Sequence, residues 1–123
     1  GNISILYSLL GSKSSMDTKG KILFIEDLDE YLYHIDRMMY NLKRNGYFDN
    51  IKGIIVGSMA DMHDNEIPFG QNEVQIITAI AKEYNIPIAF EFPAGHQTDN
   101  RTLILGKQVD FEVNDKEVKL QFH

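Results

Sequence analysis

Residues 20–46, GKILFIEDLDEYLYHIDRMMYNLKRNG, hold an apolar run, an acidic step and an amphipathic stretch in direct succession. The run Lys21–Ile25 is short and rich in branched side chains, which favours a buried strand over a helix. It gives way abruptly to Glu26 and Asp27. From Tyr31 to Asn45, Leu32, Ile35, Met39 and Leu42 recur at helical spacing. Asp29 is the candidate cap of this helix, Glu30 suits its positive end, and Gly46 is its natural stop. A buried strand feeding a helix is the opening unit of an α/β sheet.

The pattern recurs downstream. Ile51–Val56 reads as a second strand ended by Gly57, and Ile86–Phe90 as a third. Between them lie a polar loop from Ser58 to Gly70 and a helix from Asn72 to Tyr84, with Val74, Ile77, Ile80 and Ala81 as its apolar stripe. Upstream, Asn2 can cap a short helix to Leu10 whose apolar face is Ile5, Leu6, Leu9 and Leu10. Ser12–Gly20 is a loop. After a turn-rich segment from Phe92 to Asn100 the period shifts to two. Thr102–Leu105, Gln108–Val113 and Glu117–Phe122 read as short antiparallel strands, with Asn114-Asp115 in a hairpin turn. The expected fold is one α/β domain over residues 1–123: a mixed β-sheet with crossover helices and a C-terminal antiparallel extension.

Composition narrows the classes of function. Apolar types make up 43% of the 123 residues, enough for a packed core. The net charge of −6 argues against a nucleic-acid surface. With no cysteine, the fold rests on packing and not on disulfides. No apolar run reaches membrane-helix length and no secretion signal is visible. Gly1 leads straight into an apolar stripe and reads as an internal cut in a longer chain.

Polar clusters follow each core strand: Glu26, Asp27, Asp29 and Glu30; then Asp61, His63, Asp64 and Glu66; then His96 and Asp99. Loops at strand ends are where α/β sheets place their sites. Glu26 is anchored by the strand before it and can orient a histidine by accepting its second ring proton. From spacing alone, the bland reading of a helix-entry acid or a surface carboxylate is the one favoured. His96 follows Pro93 and Gly95, which set the path of its loop, and it can titrate near neutral pH. The bland alternative is an exposed loop histidine. His34 lies in a helix, His63 on a loop rim and His123 at the terminus. Asp61, His63 and Asp64 are metal-ligand types, but their spacing is not that of a zinc peptidase. No cofactor loop is present, and none of Ser4, Ser8, Ser12, Ser14, Ser15 and Ser58 stands in a nucleophile-elbow motif. A Glu–His pair without a nucleophile is the chemical puzzle.

Several segments in order resemble the C-terminal domain of the LD-carboxypeptidases, the S66 serine peptidases: GNISILYSLLG at 1–11, the stretch at 20–46, IKGIIVGSM at 51–59 and IPIAFEFPAGH at 86–96. The resemblance implies a swivelling β/β/α-like domain beside an absent N-terminal domain that carries the nucleophilic serine, with residues 1–19 as the interdomain segment. It implies that Glu26 and His96 complete a Ser-Glu-His triad, Glu30 being the competitor for the acid role. It implies removal of the terminal D-alanine from murein tetrapeptide, or action on a microcin-type peptide-nucleotide, with neither metal nor cofactor and no activity in isolation. A peptide-binding domain without catalysis is the alternative. Arg37 and Arg101 are the candidate partners for substrate carboxylates. A face exposed by the missing half is expected to support a homodimer. The expected location is the cytoplasm.

Overall fold

The computed structural model describes residues 1–123. Three helices and five strands follow in the order α1 (Ile3–Ser8), β1 (Ile22–Leu28), α2 (Leu32–Arg44), β2 (Gly53–Ala60), α3 (Glu73–Glu83), β3 (Ile88–Ala89), β4 (Val109–Val113) and β5 (Val118–Phe122). The first three strands form one parallel sheet in the order β1-β2-β3, and β4 and β5 pair antiparallel as a separate hairpin. No helix is long and apolar enough to cross a membrane.

Side chains alternate across the sheet because successive residues of a strand point to opposite faces. Leu23 and Ile25 of β1 and Ile54 and Val56 of β2 join the core formed with the helices. Onto that face α2 buries Leu32, Ile35, Met38, Met39 and Leu42. Each such side chain, fully buried, is worth roughly 1.5–3 kcal/mol. The first helix contributes Ile3 and Leu6, and its Asn2 cap accepts from the Ile5 N–H at 3.1 Å. Tyr47 and Phe48, just past the Gly46 stop, are also buried in this core. On the other face lie Ile22, Phe24 and Ile55, beneath the β4–β5 hairpin. Gly53 lies directly under the ring of Phe111: a Cβ there would come within 2.6 Å of it.

Several sequence expectations are corrected. Ile5, assigned to the buried face of α1, is 59% exposed; the buried face is Ile3 and Leu6, which lie three residues apart on one side of the helix. The α3 stripe contains Ile76 in place of Val74, which is exposed. An Asn72–Gln75 capping box fixes where that helix starts, and so which side it turns inward. Asp29 caps nothing: Tyr31 occupies the cap position of α2 without a side-chain bond, and Asp29 instead takes a left-handed turn at φ 58°. Gly57 does not end β2, which runs on to Ala60, nor does β1 stop at Ile25. Thr102–Leu105 forms no strand. The predicted strand Ile86–Phe90 shrinks to two residues because Glu91 adopts φ 57° and interrupts the ladder. Pairing with β2 then resumes, Phe92 donating to the Val56 carbonyl and Ser58 to the Ala94 carbonyl, both at 3.0 Å.

Candidate active site

The resumed ladder determines where the 92–96 loop goes. It lies beside β2, opposite a bulge. Ile25 of β1 pairs with Val56, but Asp27 pairs with Met59, so Gly57 and Ser58 together face the single residue Glu26. The extra residue bends β2 locally. Gly57 permits the contact, since a Cβ there would sit 2.4 Å from the Ala94 carbonyl oxygen. Gly95 is required twice over: its φ is 115°, and a Cβ would meet Ser58 Oγ at 2.8 Å and Glu26 Oε2 at 3.1 Å.

The next residue is His96. Its Nδ1 lies 2.8 Å from Glu26 Oε2, across 70 residues of sequence. The Glu26 side chain is 8% exposed and that of His96 is 50% exposed. The carboxylate is therefore held inside the protein while the ring stands at the surface. With Nδ1–H donated to the carboxylate, Nε2 is the free base, and it has no hydrogen-bond partner in the chain. The loop behind the ring is tied down: Arg101 N–H donates to the Pro93 carbonyl at 2.7 Å, Gly95 N–H to Asn100 Oδ1 at 3.2 Å, and the Gln97 amide to the Phe92 carbonyl at 3.1 Å. Below it, Phe24 and Phe92 meet edge to face at 6.3 Å.

Asp27, next to Glu26, points the other way. It receives the Asn2 amide at 3.0 Å, the Ser4 N–H at 2.9 Å and the Leu28 N–H at 2.8 Å, with the Ser4 hydroxyl alongside. It fastens α1 to β1.

The other candidates are engaged elsewhere. Glu30 pairs with His34 at 2.7 Å, one helical turn away, so it does not compete for His96. His63 pairs with Asp29 at 2.5 Å and packs at a tilt against the Tyr31 ring. Asp64 accepts from the Asn65 and Phe69 N–H groups and shapes its own loop. No three His, Asp or Glu side chains converge as a metal site anywhere in the chain, the 61–66 loop included. Asp99 is occupied by Arg101 through two hydrogen bonds, 3.1 and 2.9 Å. Arg37 lies over the Tyr33 ring at 5.4 Å. Neither arginine touches the Glu26–His96 pair. His123 pairs with Asp110 on the hairpin. One site feature carried no sequence signal: Ser58 Oγ is buried beside Gly95 and Glu26 without any hydrogen-bond partner.

A family model described as the LD-carboxypeptidase C-terminal domain matches residues 1–111. The chain belongs to this family, peptidase S66. Among curated relatives, the probable murein peptide carboxypeptidase of Bacillus subtilis is 34% identical over 94% of this chain and 36% of its own length. The murein tetrapeptide carboxypeptidase of Pseudomonas aeruginosa is 26% identical over 93% of this chain and 37% of its own. This LD-carboxypeptidase domain thus spans about a third of the length of the relatives it matches. The crystal structure of muramoyltetrapeptide carboxypeptidase from Oxalobacter formigenes superposes with a TM-score of 0.88, covering 99% of this chain and 43% of that one. At 24% identity that likeness establishes the fold, a mixed α/β domain with parallel and antiparallel strands.

Proposed function

We propose that this domain is the acid–base half of a serine-type L,D-carboxypeptidase. The supporting observation is the 2.8 Å contact between His96 Nδ1 and buried Glu26, which leaves Nε2 at the surface. Glu26 fixes the tautomer and orientation of the ring and stabilises the imidazolium when His96 takes a proton. His96 is the general base toward a serine hydroxyl and, in the next step, the general acid toward the leaving amine. The serine forms an acyl-enzyme at the amide that precedes a terminal D-residue, and water releases it. No serine of this chain hydrogen-bonds to His96, and the Ser4, Ser8, Ser12 and Ser15 hydroxyls are engaged with Asn2 and Asp27, Ile5, Leu9 and Tyr47. The nucleophile therefore comes from a separate N-terminal half, the active site forms between the halves, and the isolated domain is inactive. The names of the Bacillus and Pseudomonas relatives support murein tetrapeptide as the substrate and D-alanine as the product.

The test joins the chain to a half that carries the serine and follows D-alanine release from murein tetrapeptide. The chain alone releases none. In the joined protein His96→Ala lowers kcat by about 10⁴–10⁶-fold, as loss of a triad member does. Glu26→Gln also lowers it strongly, with KM little changed. Full activity in both variants would remove these residues from the mechanism.

A further inference from the structure

A cavity of about 320 Å³ opens between the sheet and the hairpin, toward the N-terminal ends of β1 and β2 and away from Glu26 and His96. Ile22, Phe24 and Ile55 form its sheet side, and Val109, Leu120 and Phe122 its hairpin side. Its volume falls at the lower end of small-molecule sites, roughly 300–1,000 Å³. Its charge pattern is unlike the rest of the chain. The net charge is −6, yet the lining includes Lys21, Lys52 and Lys107 and no acid. Lys21 is committed to Asp17 at 3.5 Å, whereas Lys52 and Lys107 enter no ion pair.

The segment that failed to become a strand borders the same cavity. Leu103, Ile104 and Leu105 line it, Ile104 being 47% and Leu105 70% exposed. Adjacent large apolar side chains at a cavity mouth leave carbon surface in water that a ligand would cover. An apolar interior with unpaired ammonium groups at the rim matches one ligand chemistry, a hydrocarbon tail ending in an anion.

We propose that this cavity binds a small amphipathic carboxylate, with its acyl chain between sheet and hairpin and its carboxylate at the Lys52 and Lys107 rim. The site is separate from the Glu26–His96 pair and stands or falls independently of the proposed peptidase activity.

The probe is dodecanoate, kept below its micellar concentration and titrated into the 123-residue chain by calorimetry and amide NMR. Saturable one-to-one binding is expected, with shifts centred on residues 103–109 and 120–122. Acetate, which lacks the tail, and dodecanol, which lacks the charge, each bind at least about tenfold more weakly. Lys52→Glu combined with Lys107→Glu weakens dodecanoate at least about tenfold, while Lys82→Glu on α3 leaves it unchanged. These lysines are exposed, so circular dichroism and melting should match the parent chain. Equal affinity for dodecanol and dodecanoate, shifts centred elsewhere, or no saturable binding would overturn the proposal. So would sedimentation showing that a second copy of the chain covers the cavity and excludes the probe.

Discussion

The two faces of β1 present consecutive buried carboxylates in different surroundings. On the helix side, Asp27 is 2% exposed and meets donors from Asn2, Ser4 and Leu28. On the loop side, Glu26 is 6% exposed and its side chain has one partner, His96. A carboxylate surrounded by fixed N–H groups is a structural clamp, because its charge is already satisfied. A carboxylate whose one partner is a half-exposed imidazole is coupled to a group that can exchange protons with whatever lies outside. Burial alone does not separate the two; the identity and mobility of the donors do.

This contrast can be broken by substitution. The largest effect on stability is expected from Asp27→Asn, which sets an amide against the Asn2 and Ser4 donors and removes the charge they were solvating. It should lower the unfolding free energy by about 2–3 kcal/mol, whereas Glu26→Gln should cost under about 1 kcal/mol. Urea unfolding of both variants at pH 7 decides it, and equal losses would erase the distinction. Next in size is Gly95→Ala. It forces a side chain into φ 115° against Ser58 and Glu26, and should cost about 1–3 kcal/mol and swing His96 away from the carboxylate. The ring-nitrogen NMR shifts of His96 report that separation; unchanged shifts would show that the loop tolerates a Cβ. The smallest effect belongs to Ser58→Ala. Its buried hydroxyl has no partner, so the variant should unfold within about 0.5 kcal/mol of the parent. A loss well above that would mean the hydroxyl is bonded to Glu26 in solution.

Much of the molecule could be read from local patterns. The strand–helix unit at 20–46 is present, as are the Asn2 cap, the helix beginning near Asn72 and the C-terminal hairpin. Glu26 and His96 were legible as candidates because each follows a strand and each has the right chemistry. Their contact was not legible from spacing. It depends on a bulge at Gly57–Ser58 and on an interrupted third strand, and neither has a period that a window of sequence can show. Glu30 was a nearby competitor for the acid role until the structure placed His34 one turn away from it.

The sequence by itself determined which segments bury an apolar face, because periodicity is a property of neighbours a few residues apart. It also determined the inventory of acids and bases at the strand ends. Tertiary structure decided the rest: that Ile76 and not Val74 turns inward, that 102–105 stays outside any sheet, and that Glu26 and Asp27 part to opposite faces with opposite partners. The physical reason is that pairing partners lie tens of residues away, and only the packed chain fixes which donor reaches which acceptor.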